Sequence, residues 1–247
     1  LQGWWVKAGQ YLSSRADVMP TPYLAHLSKL QDSIPARPIE EVIETITQEL
    51  PSKLAQRVLA GLDQNALAAA SIAQVHKVKL AAEKAGDEER LVALKVQHRG
   101  VDRVMMQDMW QMDILIRIVA YFEPENDFRP VVKEWTAEAV KELDFRTEAV
   151  NLKRVGQAVL NEHGRLEVII PAVWDDYTTK RVLVMDFCEG FPIKRVADLD
   201  EHHVDRKILL EAVTTAFAHQ IFVDGCFNAD PHPGNILVQC SDGPATG

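Results

Sequence analysis

The chain has 247 residues, 47% of them hydrophobic and 26% charged, the balance of an ordinary folded protein with room for one two-lobed domain or two small ones. A formal net charge of −9 speaks against a nucleic-acid binder, which would carry a basic face. Cys188, Cys226 and Cys240 are widely spaced and form no C-x-x-C pair, so they read as reduced thiols in an intracellular compartment.

In chain order, residues 4–14 have helical spacing, and a second helix is expected over 22–30, with Thr21 as N-cap and Pro22 at the first helical position. Residues 38–50 form a third, in which Ile39, Val42, Ile43 and Ile46 recur at i, i+3, i+4 and i+7. Residues 52–62 form a fourth. The texture then changes. Residues 66–70 are small and apolar and read as a loop, 73–80 alternate as a strand, 81–90 form a hairpin loop, and 91–97 form a second strand. A helix is expected over 103–122. Its apolar stretch from residue 104 carries Asp108, Asp113 and Arg117, which makes it a buried or interfacial helix and not a membrane span. One long amphipathic helical stretch covers 129–160, strands follow at 166–170 and 181–187, a long helix at 204–223, and a last strand at 236–238. The chain opens on Leu1 inside an apolar pattern and closes on a polar stretch, so both ends read as cuts through a longer protein.

Residues 228–235, N-A-D-P-H-P-G-N, hold two prolines and a glycine, which suits a rigid loop and excludes helix or central strand. Asp230 and Asn235 stand five apart, the spacing by which a kinase catalytic loop sets a base for the substrate hydroxyl and a Mg²⁺ ligand. The same pair also reads as side chains capping a turn. Lys95 closes V-A-L-K, similar to the strand motif whose lysine holds nucleotide phosphates. A solvated lysine on an alternating strand is the plainer reading. Strand alternation puts Lys95 on the face of Ala93, which leaves room for a ligand, with Val92 and Leu94 opposite.

Ahead of that strand, where a kinase has a glycine-rich loop, residues 66–71 read A-L-A-A-A-S; Ala68, Ala69, Ala70 and Ser71 could offer backbone N–H groups, in a stiffer loop than glycine allows, or form a short packed helix. In V-K-E-L-D-F-R-T-E-A-V, residues 140–150, helical spacing puts Asp144 and Glu148 on one face, where a cation would relieve their repulsion. Glu142 falls on another face and can pair with Arg146. Glu148 is the expected partner of Lys95, with Glu142 as the second choice. Residues 182–190, V-L-V-M-D-F-C-E-G, read as a strand ending in an acidic link that would hold adenine, with Met185 at the back of the pocket and Glu189 in the link. Lys7 and Gln10 share a helix face, and Gly9 between them costs that helix about 1 kcal/mol relative to alanine, which suggests a close approach.

Taken together, K-x-G-Q at 7–10, A-A-A-S at 68–71, V-A-L-K at 92–95, E-L-D at 142–144 and A-D-P-H-P-G-N at 229–235 resemble the UbiB (aarF-domain) family of atypical kinase-like proteins over nearly the whole chain. The resemblance implies an α+β, protein-kinase-like fold: an N-terminal helical extension over 1–62, a sheet-bearing lobe over 63–187 and a partial helical lobe over 188–247. It implies ATP and Mg²⁺ as ligands, Asp230, Lys95 and Glu148 as catalytic residues, Asn235 as a metal ligand, and Lys7, Gln10, Glu142 and Asp144 as a gate over the site. It also implies a role in coenzyme Q or other prenyl-lipid metabolism, in mitochondria or plastids where the source is eukaryotic, with lipid-biosynthetic proteins as partners and membrane association through parts outside this chain. An aminoglycoside-phosphotransferase-like enzyme shares the Asp-to-Asn spacing but not the alanine run or K-x-G-Q. Two departures stand out. Asn228 occupies a position where the family often has histidine, and no D-F-G-like aspartate follows Asn235, since Asp242 sits in a polar tail without a strand leading into it. The chain by itself is therefore expected to be a weak or inactive enzyme.

Overall fold

A computed structural model describes residues 4–6, 9, 20–27, 34–81, 89–159, 168–228 and 233–240. By compactness the chain divides into two units, Leu1–Glu148 with Trp174–Val184, and Ala149–Val173 with Met185–Gly247.

In the first unit, residues 4–6 and 9 are helical. Helix α1 spans Thr21–Leu27 and is entered through Pro20, whose carbonyl accepts from Tyr23 and Leu24, so Thr21 lies inside the helix and is not its cap. Helices α2 (Ile39–Glu49) and α3 (Ser52–Ala60) each follow a proline in extended conformation. The buried stripe of α2 runs through Val42, Thr45 and Ile46, while Ile43, expected on it, is 37% exposed. The reason is angular: one apolar stripe is narrower than four positions over two turns, and the sheet takes the 42/46 side.

Four strands follow in sequential antiparallel order: β1 (Leu62–Ala69), β2 (Ala73–Leu80), β3 (Arg90–Gln97) and β4 (Val182–Asp186). One face of this sheet meets α2 and α3 in a core built from Val42, Ile46, Val58, Val78, Leu80, Val92, Leu94 and Val96. Along β3, Val92, Leu94 and Val96 are buried on the helix side, and Ala93 and Gln97 are buried on the other. Residues 66–69, read from the sequence as a loop, belong to β1 and pair with β2, because the hairpin closes in only three residues after Ala69. Register shifts between Leu62 and Ala66, and again between Ala66 and Ala68, mark bulges in that edge strand.

Helix α4 (Val101–Phe122) starts after Gly100, whose φ of +70° sets its entry. The expected single stretch over 129–160 is instead two helices, α5 (Arg129–Lys141) and α6 (Phe145–Val159). The break lies at 142–144. Asp144 ends the turn by accepting from the Arg146 N–H at 3.1 Å through its side chain and from the Thr147 N–H at 3.0 Å through its carbonyl. Asp144 and Glu148 therefore do not share a helix face, and Arg146 pairs with Asp144, at 2.6 Å, where the sequence suggested Glu142.

In the second unit, residues 168–170, the described part of the strand expected over 166–170, belong to no strand, and an isolated bridge joins Val173 to Met185. Strands β5 (Phe191–Pro192) and β6 (Leu237–Val238) pair antiparallel. Helices α7 (Val196–Glu201) and α8 (Arg206–His219) complete a small core around Phe191, Leu199 and Val238. Asp205 caps α8 by accepting from Lys207 and Ile208. The helix expected to continue to residue 223 changes to a π turn at Gln220–Asp224 and stops at Gly225, φ +61°. Among the described residues, no helix is long and apolar enough to cross a membrane.

Candidate active site

The centre of the first unit's exposed sheet face is Lys95. Its ammonium lies 2.7 Å from both carboxylate oxygens of Glu148, one turn into α6. The two side chains are 22% and 38% exposed, so the pair is reachable from solvent but not awash in it. The ammonium also stands 5.0 Å from the ring centroid of Phe145, which is fully buried. Register places Val75 opposite Lys95, and Ala68 opposite Val75, so the three side chains form one cross-strand row on the face away from the helical core. Strand alternation puts Ala93 beside the lysine on that face, where it is buried, while Ala68 is exposed.

The start of α6 is fixed from two sides. The side-chain amide of Gln97 donates to the Leu143 carbonyl at 3.1 Å, and the Phe145 N–H donates to the Lys180 carbonyl at 3.1 Å. The Asp144 carboxyl is held below the usual carboxylate range, first by its hydrogen bonds from the Arg146 side chain. Glu142 closes α5, its N–H donating to Glu138 at 3.3 Å.

The alanine turn is equally constrained. The Ala70 N–H donates to the Ala73 carbonyl at 2.7 Å, the His98 N–H to Ile72 at 2.8 Å, and the His98 ring bonds the Ala70 carbonyl through Nε2 at 3.0 Å. Ser71 is buried, while Ala68 and Ala70 are exposed. His203 is the one non-glycine with positive φ among the described residues, so the alanines meet no left-handed strain. Burial is the main influence holding the His98 pKa below its ordinary value; the Ala70 carbonyl opposes it, Arg37 adds to it, and Glu41 opposes it.

Gln97 and His98 escaped the sequence reading. The available signal was a polar pair one residue beyond V-A-L-K, with Gln97 on the parity of Lys95. A second buried polar chain lies on the helix side. Gln74 bonds the Arg37 backbone at 2.7 Å and His76 at 2.9 Å, and His76 bonds the Asp63 carbonyl at 2.8 Å. It ties the segment before α2 to the bulged edge strand.

In the second unit, Met185 lies near the end of β4 and is half-buried, and Glu189 is exposed beyond it. Asn235 ends a short 3₁₀ turn, Pro233–Asn235, and is exposed. Cys188 is half-buried, and burial pushes its thiol pKa up. Asp230, Lys7 and Gln10 lie outside the described residues.

The model of the ABC1 atypical kinase-like domain matches residues 29–244. The chain is 34% identical over 238 residues to a probable serine/threonine-protein kinase, abkB, of Dictyostelium discoideum, covering 96% of this chain and 35% of that protein. It is 30% identical to the chloroplastic "activity of BC1 complex kinase 8" of Arabidopsis thaliana, covering 96% and 30%. It is 34% identical to a probable protein kinase UbiB of Tolumonas auensis, covering 94% and 42%. The chain thus spans less than half the length of these relatives. A Mycobacterium tuberculosis protein solved in complex with erythromycin superposes with a TM-score of 0.63 at 26% identity, over 96% of this chain and 57% of that one. The four-stranded sheet with its helices is thus the α+β, kinase-like fold, and the chain belongs to the ABC1 atypical kinase-like (UbiB/AarF) family.

Proposed function

We propose that the protein binds Mg-ATP, with Lys95 receiving the nucleotide phosphates, and acts as an ATPase or phosphotransferase. The observation that carries this reading is the part-exposed Lys95–Glu148 pair at 2.7 Å on the face of β3 away from α2 and α3. A lysine held by a carboxylate on a strand, with small side chains beside it, is the positioning element that phosphoryl-transfer enzymes of this class need. Asp230 would serve as the base for the acceptor hydroxyl. Asn235, an oxygen donor in a short turn, suits Mg²⁺, which prefers oxygen ligands and shares them with phosphates. Met185 and Glu189 would border the adenine. The alanine turn, Ala68 to Ser71, would approach the phosphates, and Lys7, Gln10, Glu142 and Asp144 would gate access.

The physiological role we assign is support of prenyl-lipid or coenzyme Q metabolism, in a mitochondrion or plastid if the source is eukaryotic, alongside lipid-biosynthetic proteins. The names of the bacterial UbiB and chloroplastic relatives support it. A nucleotide-gated scaffold without obligatory phosphoryl transfer is the second reading. The pinned alanine turn favours it, because a fixed turn restricts the phosphates it faces.

The test is calorimetric titration of Mg-ADP into the full-length protein. Lys95→Met removes a charged hydrogen-bond donor to phosphate, so affinity should fall roughly 10- to 100-fold. Unchanged affinity would remove Lys95 from the nucleotide site.

A further inference from the structure

Gln97 and His98, the last residue of β3 and the one after it, reach in opposite directions. Gln97 is 3% exposed, and its amide donates to Leu143 in the turn that launches α6, the helix carrying Glu148. Its backbone N–H donates to Arg181 at 2.9 Å. His98 is 7% exposed, and its ring and N–H hold Ala70 and Ile72, the two sides of the alanine turn. The strand that carries Lys95 thus ends in two side chains that fix the two other elements flanking it.

We propose that Gln97 and His98 are positioning residues: a bracket in which Gln97 keeps Glu148 in reach of Lys95 and His98 keeps the alanine turn over the phosphate position. The proposal rests on the nucleotide-binding reading above for its functional half. Its structural half stands on the hydrogen bonds alone. The physical case is one of pre-organisation. Both side chains are buried, and each satisfies a carbonyl that no helix or strand ladder supplies with a donor, so removing either leaves that carbonyl orphaned and its segment free to shift. The effect on nucleotide acts through the elements that the two side chains hold.

The bracket is tested in the full-length protein with His98→Ala, His98→Gln and Gln97→Met, by backbone hydrogen exchange without nucleotide and by Mg-ADP titration. Glutamine at 98 places an amide donor where Nε2 stands; methionine at 97 keeps the length and loses the donor. His98→Ala should speed exchange in peptides covering 66–76 and leave 141–150 unchanged. Gln97→Met should do the reverse. Each should weaken Mg-ADP about fivefold, the value of one buried hydrogen bond, and His98→Gln should restore affinity to within about twofold. Loosening of both regions by both variants would mark a merely structural role and overturn the proposal. So would the expected exchange pattern with unaltered affinity, or a His98→Gln variant no better than His98→Ala. If the parent protein bound no Mg-ADP, the nucleotide-binding reading would fall, and the exchange pattern would decide the structural half on its own.

Discussion

Lys95 illustrates how little a single residue declares. On an alternating strand it is indistinguishable from a solvated lysine until its partner is known, and three acidic residues, Glu142, Asp144 and Glu148, lie close enough in sequence to compete. The structure decides among them by geometry. Asp144 is engaged by Arg146, Glu142 closes the preceding helix, and Glu148 projects from the first turn of α6 to within 2.7 Å of the ammonium. His98 carries a pH signature at the same scale. Its folded pKa lies below the unfolded value of 6.5, so the unfolded chain binds its proton first as pH falls. Its contribution to stability is therefore complete above about pH 6.5 and is lost as pH drops through the lowered folded value. Melting temperatures recorded between pH 7.5 and 5 should fall more steeply for the parent than for His98→Gln, and parallel curves would contradict the assignment of His98 as a buried neutral group.

At the scale of elements, strands were the legible part. Residues 73–80 and 91–97 are legible because their apolar side chains recur at period two against α2 and α3, while the other face meets Phe145 and Glu148 of α6 and solvent, and the structure returns β2 and β3 at nearly those bounds. What could not be read was where elements stop. The 142–144 turn carries no proline or glycine, and its helix break depends on the Asp144 cap together with hydrogen bonds arriving from Gln97 and Lys180. Residues 66–69 lack the β-branched or aromatic side chains of a strand and become one only by pairing with β2. The join between α3 and β1 is stricter still. A Cβ on Gly61 would lie 1.8 Å from the Lys79 carbonyl oxygen, while the Gly61 carbonyl accepts from the Lys79 N–H at 2.9 Å. Gly61→Ala must push the edge strand off its neighbour and should cost about 3 kcal/mol, seen as a lowered midpoint in urea with little change in slope. A variant unfolding at the parent midpoint would show that this contact is soft.

At the scale of the whole molecule, the division into two compact units matters more than the division by motif. Lys95 and Glu148 belong to one unit, and Asn235 to the other. The chain spans 35% of its Dictyostelium relative and 42% of its bacterial one, so the proposed turnover is measured in the full-length protein. There, Asp230→Asn should lower ATP hydrolysis by about 100-fold or more, the range of a removed general base, while leaving Mg-ADP affinity within about threefold. Hydrolysis at the parent rate would exclude Asp230 as the base.

The sequence by itself determined the family, the α+β class and the identity of the lysine strand, because these reside in local motifs and in the two-residue period of a half-buried sheet. It also ranked Glu148 ahead of Glu142 as the lysine's expected partner. Only the tertiary structure decided that Glu148 is that partner, that Asp144 caps a helix, and that Gln97 and His98 hold the flanking turns. The pairings of Glu148, Gln97 and His98 depend on hydrogen bonds between residues 28 to 53 positions apart, and a buried polar group chooses its partner by what the fold brings within about 3 Å, not by its neighbours in sequence.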